Sequence, residues 1–183
     1  MNTDWLIHEL EKAQKSGASY DVSERLAALA VKEKANAYEY TGYLRNIHDI
    51  PSYYQANLDM LEKDKRDSLL YGNQKIITRI RNEVGTYYDK ESDVKNTLIS
   101  TGCTVKGEIK NSIVSRRVNF AKDSVAKNAV IMANCKIKSG ADVEYAILDK
   151  NVVIEKGVTV KGKPDSPVVI KKGSVISKDF VLD

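Results

Sequence analysis

From Ile99 onward the large aliphatic residues return every six positions. Ile99 and Val105; Val114 and Phe120; Val125, Ile131, Ile137 and Val143; Leu148, Ile154 and Val160; and Ile170 and Ile176 form runs of that spacing. Four places after the members of these runs stand Cys103, Val118, Ser124, Ala129, Cys135, Ala141, Val152, Val158 and Ser174, all small or compactly branched. Three places after them stand Gly102, Asp123, Asn128, Asn134, Gly140, Asn151, Gly157 and Gly173. Those residue types tolerate a positive φ, which a sharp corner requires. Arg117 is the exception, a long cationic residue at a predicted corner. Three positions locked to one period predict a coil of short strands and corners, three sides to a turn, with the aliphatic residue inside. A single coil cannot bury its own interior face, so neighbouring coils must stack. The stretch from Val94 holds about five such coils. A sandwich of short strands would not keep three positions in phase. Lys161–Val168, with Gly162, Pro164 and Pro167, breaks the period and reads as a loop leaving the coil.

Ahead of the repeat the pattern changes. Trp5, Leu6, Leu10 and Ala13 mark one face of a helix over Asp4–Lys15, and Leu26, Leu29 and Ala30 do so over Val22–Glu33. Ala37–Tyr43 alternates and is aromatic-rich, which predicts a strand, and Ile76–Ile80 predicts a second short one. Pro51 stands where a first helical residue often stands, with Tyr54, Leu58 and Leu61 continuing one face behind it. Nine of the ten tyrosines and the only tryptophan lie at or before Tyr88, so composition shifts near residue 90. The expected boundary is the charged stretch Asp89–Asp93, dividing an α/β remnant, 1–90, from a β-helix, 91–183.

Composition narrows the function classes. The net charge of +4 comes without an Arg/Lys cluster interleaved with aromatics, which argues against nucleic-acid binding. No apolar run is long enough to span a membrane, and the N-terminus lacks the apolar core of a signal peptide, so the expected compartment is the cytoplasm. Two cysteines in a chain this long do not make a disulfide framework. Both fall at the small inward position, where packing is their expected role.

The repeat carries no catalytic apparatus of its own. His8 and His48 are the only histidines and both precede it, so it offers no imidazole base or zinc ligand. That disfavours an acyltransferase or a zinc enzyme of the hexapeptide type. Arg116 and Arg117 are its one concentrated donor pair, and guanidinium groups match phosphate oxygens bidentately. They read either as a solvated pair or as an anion contact.

Two segments carry a family resemblance. Gly42-Tyr43-Leu44-Arg45-Asn46-Ile47, followed by Ser52-Tyr53-Tyr54-Gln55-Ala56-Asn57-Leu58, resembles the end of the nucleotidyltransferase domain in the ADP-glucose pyrophosphorylase (glucose-1-phosphate adenylyltransferase) family. Asn111–Arg116 and Ala146–Ile154 resemble its β-helix. The resemblance implies a left-handed parallel β-helix and a parent reaction that joins glucose 1-phosphate and ATP, with Mg²⁺, into ADP-glucose and pyrophosphate. The family has an aspartate at a metal-binding position where this chain has Asn46, a tryptophan where it has Leu44, and Gly-Thr where it has His48-Asp49. A neutral amide is a poor substitute for a carboxylate that holds Mg²⁺ between phosphates. These departures resemble the non-catalytic GlgD-type branch, and the Gly-rich nucleotide loop is missing from these residues.

The resemblance therefore implies a regulatory and oligomerising piece of a bacterial glycogen-synthesis enzyme, with no catalytic residue, metal or cofactor of its own. Its expected partners are a catalytic pyrophosphorylase subunit, a second copy, or both. A phosphorylated sugar effector is expected near Arg116 and Arg117. The alternatives are the C-terminal part of an active adenylyltransferase and, with less support, an unrelated hexapeptide acyltransferase.

Overall fold

The computed structural model describes residues 3–17, 22–32, 36, 38–71, 76 and 82–182. The chain divides into two compact units, Met1–Thr41 and Gly42–Asp183. In the first unit, helix α1 spans Thr3–Lys15, with Asp4 in its first turn and Lys12 and Lys15 in its last, charges that suit the helix dipole. Ala13 is fully buried, and Trp5, Leu6 and Leu10 are half-buried on the predicted face. Gly17, at φ 67°, ends the helix. Helix α2 spans Val22–Lys32 and buries Leu29.

The expected strand at Ala37–Tyr43 does not form over the described residues 38–43. Tyr38 is 87% exposed and Tyr40 53%, and a strand without a packed face or a partner gains little from aromatic propensity. The strand expected at Ile76–Ile80 lies outside the described residues apart from Ile76, which is irregular. The part expected to be an α/β remnant is thus helical among the described residues until the coil begins.

In the second unit, helix α3 spans Ile50–Leu58, a 3₁₀ turn follows at Asp59–Leu61, and helix α4 spans Lys63–Leu70. Among the described residues, fifteen short strands then wind into a parallel β-helix of about six turns. One face stacks β1 (Tyr87–Tyr88), β4 (Thr104–Val105), β7 (Asn119–Phe120), β9 (Lys136–Ile137), β11 (Val153–Ile154) and β14 (Val175–Ile176). A second sheet wraps round the other two faces, because β8 (Val125–Ile131) and β10 (Asp142–Leu148) each turn a corner without breaking. All strand pairs in the coil are parallel, and successive coils are offset by 17 residues where Ala126, Val143 and Val160 stack.

The interior is built as the six-residue pattern requires. Val105, Phe120, Ile137 and Ile154 form one column, and Val114, Ile131, Leu148 and Ile170 a second, each at most 4% exposed. Burial of each such side chain contributes about 1.5–3 kcal/mol. Every predicted corner has positive φ: Gly102, Gly140, Gly157 and Gly173, together with Asp123, Asn128, Asn134 and Asn151. Arg117 adopts it too, at 56°.

One assignment fails. Val125 is not an inward residue; Ala126 is, fully buried opposite Ile109 and Val143. The third side of the coil is one residue shorter than the other two, so Ala126 and Ile131 are five apart. The short corner needs a left-handed residue two places after the inward one, and Asn96, Asn111, Asn128 and Tyr145 supply it with φ between 46° and 49°. The loop that leaves the coil is shorter than expected, residues 162–167, closed by an antiparallel bridge between Lys163 and Ser166, because Lys161 and Val168 still pair in the coil with Glu144 and Ala146.

Candidate functional site

Outward positions of a solvated β-helix are normally polar. On one face of this coil they are not. Leu98, Ile113, Val130, Ile147 and Val169 stack in register as an apolar outer stripe. Helix α3 covers the middle of it. Val130 and Ile147 are 3% and 4% exposed, packed with Tyr54, Tyr53, Leu58 and Met132. The Tyr54 hydroxyl donates to the Asn128 carbonyl at 2.5 Å, and burial pushes its phenol well above the ordinary tyrosine range.

The sequence just before α3 sets its start. Asp49 accepts from the Ser52 N–H at 2.7 Å and donates its own N–H to the Ser52 hydroxyl at 3.0 Å, with Pro51 in the first turn. This reciprocal cap satisfies two otherwise orphaned donors. The Ser52 bonds hold the Asp49 carboxyl below its usual range.

Behind the helix lies a fully buried carboxylate, Asp59. It accepts from the Tyr43 hydroxyl at 2.8 Å, Arg45 Nε at 2.7 Å, Gln55 Nε2 at 3.1 Å and Lys65 Nζ at 3.0 Å. Burial by itself would raise its pKa. The hydrogen bonds and the Arg45 charge outweigh that and bring it down to about 2. Asp59 thereby ties the irregular stretch 42–49 to α3 and α4.

Between that stretch and the open end of the stripe lies a groove of about 460 Å³, lined by Ile47, Ile50, Tyr53, Met132, Ile147 and Val169. Its polar edge carries His48, Asp49 and Asp149. His48 Nε2 lies 3.4 Å from the Asp49 carboxylate, and its side chain is 67% exposed.

Arg116 and Arg117 are brought together, and the group they meet is a carboxylate of this chain. Glu83 Oε1 lies 3.5 Å from Arg116 Nη1 and 3.9 Å from Arg117 Nε, and Glu83 also accepts from the Thr101 hydroxyl. The strained φ of Arg117 is thus accompanied by an ion pair, which partly offsets a cost of about 1 kcal/mol. Cys103 and Cys135 are free thiols in the coil interior. Burial pushes both pKa values up, that of Cys135 to about 11.

Residues 83–167 match the family model described as GlmU-like, C-terminal hexapeptide. Over 151 residues, 80% of this chain, the sequence is 33% identical to the glycogen biosynthesis protein GlgD of Bacillus subtilis (strain 168). It is 28% identical over 165 residues, 88% of the chain, to the glucose-1-phosphate adenylyltransferases of Bacillus mycoides and Bacillus cereus. The chain is homologous to these glycogen-synthesis proteins. It spans 44% of the length of each, matching the C-terminal region of the adenylyltransferases. The resemblance carried by Gly42–Leu58 and the repeat is therefore one of common descent.

Against that relationship Asn46 can be judged as a metal position. It lies exposed between Arg45 and Ile47 and offers only a neutral amide oxygen. Among the described residues no group of three or more His, Cys, Asp or Glu is placed to hold a metal ion. A neutral amide is a weaker ligand for Mg²⁺ than a carboxylate. Sequence reasoning missed Asp59, Glu83 and Tyr145. Glu83 is far from the arginines in sequence, and Asp59 has the look of an ordinary helix-end residue. Tyr145 is an aromatic at a corner where Asn or Gly is expected.

Proposed function

We propose that this chain is a regulatory and assembly element of a cytoplasmic, glycogen-synthesising ADP-glucose pyrophosphorylase, inactive in that reaction by itself. It associates with a catalytic pyrophosphorylase subunit, with a second copy, or with both. The observation that carries this reading is Asn46, a neutral amide in the segment where the resemblance places a metal-binding carboxylate. Identity to a GlgD protein at 33% supports it. The adenylyltransferases match a slightly longer stretch of the chain, which keeps a second reading in view: the C-terminal part of an active enzyme.

One experiment tests the regulatory reading. The purified chain is incubated with glucose 1-phosphate, ATP and Mg²⁺, alone and with a catalytic adenylyltransferase. The regulatory reading expects no ADP-glucose from the chain alone, together with binding to the catalytic subunit and altered turnover. ADP-glucose formed by the chain alone, or no binding and no effect, overturns it. In this reading Arg116 and Arg117 receive a phosphorylated sugar in competition with Glu83. Replacing each arginine by Ala should then weaken activation of the complex by phosphorylated sugars. Unchanged activation and subunit affinity would remove them from the site.

A further inference from the structure

Glu83 is carried to the arginine pair by a segment that is itself fastened to the start of the coil. The Val84 carbonyl accepts from the Gly102 N–H at 2.9 Å. The Thr86 hydroxyl donates to the Ser100 carbonyl at 2.7 Å and accepts from the Cys103 N–H at 3.3 Å. A Cβ at Gly102 would stand 3.1 Å from Arg117 Cγ and 3.5 Å from Glu83 Oε2, so the glycine leaves the space in which the two side chains meet. The Glu83 side chain is 14% exposed, against 31% for Arg116 and 54% for Arg117. A carboxylate tethered in this way faces the arginines at a high effective concentration, against which any anion from solution has to compete.

Yet the contact is a loose one. Charge-assisted N–H···O bonds are commonly about 2.7–2.9 Å. Here the two distances are 3.5 and 3.9 Å, and a single oxygen, Oε1, serves both guanidinium groups. The other oxygen, Oε2, accepts from the Thr101 hydroxyl at 3.4 Å. Each guanidinium has several further donors that Glu83 does not reach. A phosphate group brings three acceptor oxygens on a tetrahedral centre and close to two negative charges. It can therefore serve both forks at once, which Glu83 does not. A free carboxylate has the same chemistry as Glu83 without its tether, and gains nothing by displacing it.

We propose that Glu83 is a built-in competitor for the Arg116–Arg117 site, which raises the affinity a ligand needs so that a phosphomonoester enters and a carboxylate does not. The proposal rests on the reading that these arginines receive a phosphorylated ligand, and it adds the residue that selects for one.

The test titrates the whole chain with inorganic phosphate at pH 8, and separately with acetate, at constant ionic strength. Binding is followed by the backbone amide NMR signals of Gly102 and Arg117, which lie at the site. The unaltered chain should bind phosphate and show no response to acetate. Glu83→Gln should tighten phosphate tenfold or more and bring acetate binding into range, and Glu83→Ala should do the same. Arg117→Ala added to Glu83→Gln should abolish the gain. Glu91→Gln makes the same change in net charge at the Lys122 ion pair and should leave phosphate affinity unchanged. Equal phosphate affinity with and without Glu83, acetate binding by the unaltered chain, a gain that survives Arg117→Ala, or an equal gain in Glu91→Gln each overturns the proposal. Failure of the underlying site reading has its own signature: neither the unaltered chain nor the Glu83 variants then respond to phosphate at Gly102 and Arg117.

Discussion

Asp59→Asn removes one charge from the most connected side chain in the α3 region and keeps its size. The depression of the carboxyl from 3.8 to about 2 measures how much better the native environment holds the anion than water does. At about 1.4 kcal/mol per pKa unit this is about 2 kcal/mol. Leaving Arg45 and Lys65 short of an anion would cost more in a dry interior. Both are about one-third exposed, and water screens them, so about 2 kcal/mol is the expected loss at neutral pH. The sign with pH follows from the direction of the shift. Because the native pKa lies below the unfolded one, the contribution is complete above about pH 5. It is lost as pH falls through 3.8 toward 2, where both states bind the proton. The variant has no proton to bind there, so its deficit should shrink between pH 5 and 2. Urea unfolding is followed by near-ultraviolet circular dichroism, a signal to which Tyr43, Tyr53 and Tyr54 contribute. A deficit that stays constant from pH 7 to 2.5, or no deficit at pH 7, would refute the reasoning.

The coil interior gives a second expectation. Leu148→Ala should destabilise the β-helix by about 2–5 kcal/mol in urea, while Val175→Ala stays within about 0.5 kcal/mol. At the corners, Asn151→Ala should cost about 1 kcal/mol in thermal unfolding, and Asn151→Gly less. Its φ is 61° and its side chain accepts from Asn134 Nδ2 at 3.0 Å, so Ala adds backbone strain to the lost bond, whereas Gly loses the bond alone. Cys103 and Cys135 should resist a thiol-specific chromogenic reagent at pH 8 until the chain is unfolded in denaturant, because both are buried and their pKa values are raised. Rapid native-state reaction of either would contradict the interior placement.

The repeat was legible because solenoid geometry forces one residue type onto one position. A corner with positive φ selects Gly, Asn or Asp, and a narrow interior selects a large aliphatic beside a small residue. Arg117 kept the corner φ despite its side chain, since the stacked neighbours fix the backbone there. Legibility failed where the period did. Val125 sits six before Ile131, yet the side it belongs to spans only five. Stepping back 17 residues from Val143 would have found Ala126. The outer stripe stayed hidden for the same reason. Leu98, Ile113, Val130, Ile147 and Val169 share a face only once the coil pitch, and not the six-residue period, sets the alignment. The strand expected at Ala37–Tyr43 failed differently, because aromatic alternation carries no information about whether a partner strand exists.

Apart from Arg117, the exceptions to the repeat gather at one corner, and that is where α3 docks. Asn96, Asn111, Asn128 and Tyr145 form the column of the short corner, and Gly162 takes the next place. Asn128 offers its carbonyl to Tyr54, and the ring of Tyr145 packs on the cluster that contains Tyr54. An aromatic residue at φ 48° costs about 1–2 kcal/mol, and burial of its ring against α3 is of the same order. Gly162 is required by a close approach, since a Cβ there would collide with the Tyr145 carbonyl oxygen. The loop of residues 162–167 leaves the coil at this same place, and its Pro164 and Asp165 line a polar pocket with Arg45, Asp49 and Ser52. A repeat that elsewhere departs from its pattern at Arg117 thus tolerates strain, a shortened side and an insertion along the edge that holds α3 and the groove beside it. The edge accumulates irregularities because its outward face is packed against other chain segments, and packing there constrains residue choice more than the coil does.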